Sequence, residues 1–65
     1  MKSSVLQIRG NSAQTARAQA VLSRMNGVVA AEFVPGRNAV RVYCGDEMTR
    51  EMLLEPLHMR GLLAE

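Results

Sequence analysis

A single cysteine, Cys44, in 65 residues removes the usual staples of a small domain. No intramolecular disulfide is possible, and no Cys/His cluster has the spacing of a structural zinc site. Tryptophan is absent and only Phe33 and Tyr43 are aromatic, so the core must be built from Val, Leu, Ala and Met. No apolar run approaches the roughly 18 residues needed to cross a bilayer. The opening Met1–Arg9 stretch is too short and polar for a signal peptide. These absences predict a soluble, cytoplasmic protein, or a cytoplasmic piece of a larger one, and a reduced Cys44 fits that setting.

Chemistry-bearing constellations are missing as well. There is one histidine, His58, with no paired carboxylates and no Ser/His/Asp set around which to build general acid–base or nucleophilic catalysis. Glycines 10, 27, 36, 45 and 61 are spread along the chain and form no phosphate-cradling loop. No enzyme, catalytic residue or cofactor is therefore expected. The net charge of +2 is mild, and the arginines are dispersed. Charge gives no argument for nucleic acid.

What is present is 48% hydrophobic residues in alternating patterns. Residues 4–9 have period two, with Leu6 and Ile8 turned inward, and predict a half-buried strand. Asn11 or Ser12 can cap a helix from Ala13 to Met25, on which Ala18, Val21, Leu22 and Met25 form one stripe. Asn26-Gly27 reads as its stop, with Gly at the C′ position. Val28–Val34 reads as a strand with Val29, Ala31 and Phe33 inward. Pro35-Gly36-Arg37-Asn38 is a hairpin turn. In the partner strand, Ala39–Cys44, Val40, Val42 and Cys44 share one face, and Ala39, Arg41 and Tyr43 the other. Asp46 is placed to cap a second helix, 47–59, with Met48, Met52, Leu53 and Leu57 on its apolar side. Pro56 should kink or split it. Gly61 ends it, and residues 62–65 can close the fold as an edge strand.

The order strand, helix, strand, strand, helix, strand predicts one α+β domain over residues 1–65. Its architecture is the ferredoxin-like βαββαβ sandwich, a four-stranded antiparallel sheet with two helices on one face. That architecture hosts many activities and does not by itself define one.

Leu6, Ile8 and Gly10, then Gly27-Val28, then Val40, Val42 and Cys44, and finally Gly61-Leu62 make the chain resemble the heavy-metal-associated family, the copper-chaperone and metal-ATPase amino-terminal domains. The resemblance spans nearly the whole chain, mostly at fold-forming positions. It fails at the family's metal loop, Gly-Met-x-Cys-x-x-Cys, where this chain reads Gly10-Asn11-Ser12-Ala13-Gln14-Thr15-Ala16. The interval from Gly10 to Gly27 is also about two residues shorter than the resemblance implies. With the gap in the loop, the cysteine positions fall on Asn11 and Gln14; with the gap in the helix, they fall on Ala13 and Ala16. Neither supplies a thiolate, and Cu(I) is soft and takes thiolate or thioether ligands. The resemblance thus implies a degenerate member that has lost its metal site, with no metal ligand to assign.

Other residues offer no replacement. In this topology Cys44 should sit at the end of the sheet opposite the loop, where it reads as core packing. His58 lies near the loop end, but a helix from 47 to 59 is about 20 Å long, so the two should not share an ion. His58 reads as a helix-end histidine that complements the helix dipole. Met25, Met48 and Met52 read as core filling, and Met59 stays open.

RNA recognition on the same element order needs aromatic rings on the exposed sheet face. Val5, Gln7, Arg9, Ala39, Arg41 and Tyr43 give only one. A protein partner, or a homodimer through a sheet edge, fits better. The face carrying Val5, Val28, Val34, Ala39 and Tyr43 is also more apolar than solubility requires. The alternative is Cu/Zn binding or trafficking at a non-canonical site.

Overall fold

The computed structural model describes residues 1–65, and its elements follow from local chemistry. Strand β1 spans Lys2–Arg9 and buries Leu6 and Ile8 on one side, as their alternation requires. Helix α1, Ser12–Ser23, is capped by Asn11 and buries Thr15, Ala18 and Leu22. Val21 and Met25 pack against the same core from its margin. Strand β2 covers Val28–Phe33, and β3 covers Ala39–Cys44. Helix α2 is Arg50–Met59, and β4 is the short pair Leu63–Ala64.

The four strands lie in the order β2-β3-β1-β4, and each neighbouring pair is antiparallel. The βαββαβ sandwich expected from the sequence is the fold observed. Val40, Val42 and Cys44 of β3 are fully buried and share the core with Leu6, Leu22, Leu53 and Leu57. Each such leucine contributes about 1.5–3 kcal/mol by leaving water, and a domain this small has few of them.

Several expected details differ. β1 starts at Lys2, earlier than residue 4. α1 stops at Ser23, because Arg24 and Met25 turn tightly and donate to Val21 and Leu22 carbonyls. Gly27 is therefore not the helix C′ residue; its positive φ of 92° serves the turn into β2.

A bulge between Val28 and Ala30 shifts the phase of β2. Val28 and Ala31, opposite Cys44 and Val42, pack on the core. Val29, at the bulge, is left 70% exposed and leaves the expected inward set. Ala31 and Phe33 keep the inner face opposite Val42 and Val40, with Phe33 53% exposed at the sheet edge. Val28 correspondingly leaves the outer face to which the sequence assigned it. Ala39 also differs, being fully buried beside Gln7, whose side chain accepts from Arg37 Nη2 at 2.7 Å.

Asp46 does not cap α2. It pairs instead with the Met1 amino group at 3.1 Å, while Thr49 Oγ1 accepts from Met52 N at 3.2 Å. The helix therefore begins at Arg50 rather than 47. Met48 lies before it, in the core, and Met52 is left largely exposed. The helix runs unbroken through Pro56.

Its other end is a Schellman motif. Leu62 N donates to Leu57 O at 2.9 Å and Gly61 N to His58 O at 3.0 Å, with Gly61 at φ 76°. Leu62 is thereby buried although it lies outside β4.

Candidate functional site

The loop that joins β1 to α1 is where the sequence resemblance places a metal site, and its chemistry is that of a helix cap. Asn11 Oδ1 accepts from Gln14 N at 3.0 Å, and Gln14 Oε1 accepts from Asn11 N at 2.9 Å. This reciprocal pair is a capping box, with glutamine at the third helical position satisfying the cap's own amide. Thr15, buried beneath it, closes the turn by donating its hydroxyl to Asn11 O at 3.2 Å.

Gly10 lets the Gln14 side chain lie directly against the backbone, since a Cβ at position 10 would run into Gln14 Oε1. Asn38, from the β2–β3 turn, ties the loop to the sheet through Nδ2 to Gly10 O at 2.9 Å. Asn11 and Gln14 are thus committed to backbone groups. Ala13 and Ala16, the alternative cysteine positions, are exposed methyl groups on the first turns of α1.

His58 is at the same end of the molecule, on the last turn of α2. Its Nε2 lies 3.0 Å from Ala64 O. A carbonyl only accepts, so Nε2 carries the hydrogen in this contact. The ring fastens α2 to β4, a contact beyond the helix-dipole role expected of it. Nearby, Arg9 pairs with Glu65 at 2.9 Å.

Cys44 lies elsewhere. It is opposite Lys2 in the β1–β3 register and fully buried, about 23 Å along β1 from Arg9 at 3.3 Å per residue. The structure therefore separates Cys44 from His58, as the topology implied. No three His, Cys, Asp or Glu side chains come together in a group able to hold an ion. Among the methionines, Met48 and Met25 pack on the core. Met52 Sδ lies 3.5 Å from Thr49 N, and Met59 is exposed.

Two open grooves flank α2. One, of about 450 Å³, is lined by Glu51, Leu54, Glu55, His58 and Met59. The other, of about 280 Å³, lies against Ala20, Val21, Arg24, Met25, Pro56 and Arg60. Neither brings an acid and a base into a hydrogen-bonded pair. On the outer sheet face Val5, Arg41 and Glu32 form one row, and Tyr43 donates its hydroxyl to Glu32 at 3.0 Å. One ring engaged with a carboxylate is a poor base-stacking platform.

Sequence reasoning missed Thr15, Gln14 as a capping partner, and Gln19, whose Nε2 reaches Ala31 O at 2.9 Å. Asn11 followed three residues later by Gln14 is the capping signature, and it was available to find the box.

The element order and sheet order define a ferredoxin-like domain. No protein-family model and no curated protein sequence matches the chain. Among solved structures, the yeast copper transporter domain Ccc2a, determined in apo and Cu(I)-loaded states, superimposes with a TM-score of 0.80 at 22% identity. The match covers 100% of this chain and 93% of that one. The fold of this chain is the fold of that domain. No helix of the chain is long and apolar enough to cross a membrane.

Proposed function

We propose that this chain is a non-enzymatic module on the heavy-metal-associated fold, degenerate at the metal loop and acting through contact with another protein or a second copy, in a cytoplasmic setting. The observation that carries this reading is the reciprocal Asn11–Gln14 cap. Both side chains are already bonded to backbone groups, and amide oxygens are poor ligands for a soft ion such as Cu(I).

The surface for contact is the β2 edge. Val29 and Phe33 stand exposed there, and the strand has no neighbour on its outer side. Such an edge accepts an added strand through main-chain hydrogen bonds, with flanking side chains setting specificity. Gln19 covers the Ala31 carbonyl, which confines pairing to the remainder of the edge. Nucleic acid has no platform on this chain.

A second reading is favoured by one observation: the copper transporter domain that shares the fold has been obtained loaded with Cu(I). On this reading the chain binds Cu(I) or Zn(II) at a non-canonical site. Titration of the reduced protein with each ion, beside Cys44→Ser and His58→Ala variants, separates the two. The interaction reading expects no stoichiometric complex. Binding tighter than micromolar that disappears in either variant would overturn it. Light scattering over a dilution series, with pull-down, tests the contact itself; a monomer at every concentration with no partner counts against the module.

A further inference from the structure

We infer that Asn26 is a self-modification site, at which the chain converts asparagine to aspartate and isoaspartate without an enzyme. The chain has three asparagines, at 11, 26 and 38, and the structure treats them differently. Asn11 Oδ1 holds the α1 cap and Asn38 Nδ2 holds the loop at Gly10 O. Asn26 is exposed in the turn between α1 and β2, and its side chain has no hydrogen-bond partner among those of the molecule.

Asn26 is also the one asparagine followed by glycine; Ser12 and Ala39 follow the others. Gly27 presents no side chain to hinder attack. Its amide N–H lies outside every helix and strand and makes none of the turn or loop hydrogen bonds that its neighbours Met25 and Val28 make.

The chemistry needs only water and base. The deprotonated Gly27 nitrogen attacks the Asn26 side-chain carbonyl carbon, a C–N bond forms, and the original C–NH₂ bond breaks with loss of ammonia. The resulting succinimide is hydrolysed at either carbonyl. One product is aspartate and the other is isoaspartate, whose main chain runs through the former side chain. No atom is oxidised or reduced. Each product carries one more negative charge than the parent.

The isoaspartyl form also inserts a carbon into the backbone next to Gly27. There the carbonyl accepts from Gly45 N at 3.0 Å, and Met48 packs close by. The modification therefore strikes the junction of β2, β3 and the segment leading to α2.

Incubation of the full chain at mildly alkaline and at neutral pH, followed by mass mapping after cleavage at Lys and Arg, tests this. The three asparagines fall in separate fragments, 10–17, 25–37 and 38–41. The expected result is loss of ammonia and uptake of water in 25–37 alone, faster at the higher pH and absent from Asn26→Gln. Conversion at all three sites together, or an intact Asn26 in the folded chain beside rapid conversion in the urea-unfolded chain, would overturn the inference. The converted chains, separated from the parent by ion exchange, should melt below an Asn26→Asp variant, which has the same charge and no inserted carbon; equal melting would refute the claim that the insertion disturbs the junction. Gly27→Ala is unsuitable as a variant, because its Cβ would lie 2.7 Å from Met48 Sδ.

Discussion

Asn11 and Gln14 each satisfy the other's backbone amide, so replacing either leaves an orphan donor at the start of α1. Asn11→Ala should lower stability by about 0.5–2 kcal/mol, read as a lower urea midpoint at constant slope. The same pair offers a test of which positions correspond to the metal loop. Asn11→Cys/Gln14→Cys is expected to gain stoichiometric Cu(I) binding, at the cost of the cap. If Ala13→Cys/Ala16→Cys binds instead, the alternative alignment is the correct one. Deeper in the core, Leu22→Ala should cost about 2–5 kcal/mol. A domain of this size rarely holds more than 3–5 kcal/mol in its core, so that variant should be largely unfolded by circular dichroism at ambient temperature.

Among the elements, α2 carries an internal conflict in Pro56. Proline gives the Met52 carbonyl no donor, and Met52 lies on the exposed side, where water can satisfy it. The helix survives because Leu53 and Leu57 are buried on its other side and the Leu62–Leu57 bond closes its end. Pro56→Ala should therefore stabilise the fold by about 1–3 kcal/mol, the propensity gain being partly offset by a freer unfolded chain. A higher thermal midpoint would show it. Strands β1 and β3 were legible in the sequence, since their alternation is unbroken and one face is buried. β2 was legible as a strand, in phase at Ala31 and Phe33 but not at Val28 and Val29, where the bulge lies. A bulge changes which residues face inward, and in a run as uniformly apolar as Val28-Val29-Ala30-Ala31 nothing marks it. The start of α2 was misplaced for a similar reason. Asp46 and Thr49 are both good caps, and the choice between them depends on Met48 entering the core, a tertiary effect. At the candidate site, the lack of a thiolate pair was plain from composition. The Asn11–Gln14 box is local and its spacing was readable, whereas the tie from His58 to Ala64 depends on where β4 pairs with β1.

Taken as a whole molecule, the sandwich places both helices on one side and leaves β2 as an open margin with Val29 and Phe33 exposed. Lysine at either position removes apolar contact area without entering the core. Val29→Lys and Phe33→Lys should leave folding stability within about 0.5 kcal/mol of the parent while abolishing any self-association or partner capture. Loss of association together with unfolding would instead point to a structural role for that margin.

The Tyr43–Glu32 contact gives the molecule an optical property. With no tryptophan in the chain, Tyr43 is the sole source of near-ultraviolet emission above the phenylalanine range. Its hydroxyl is bonded to a carboxylate of β2 itself, an arrangement that draws light energy out of the excited ring. A ligand that moves Glu32 while docking on the β2 margin should brighten the protein. One that binds at the helix grooves should leave its emission unchanged. The unlabelled chain thus reports, by the intensity of a single ring, which of its surfaces has been engaged.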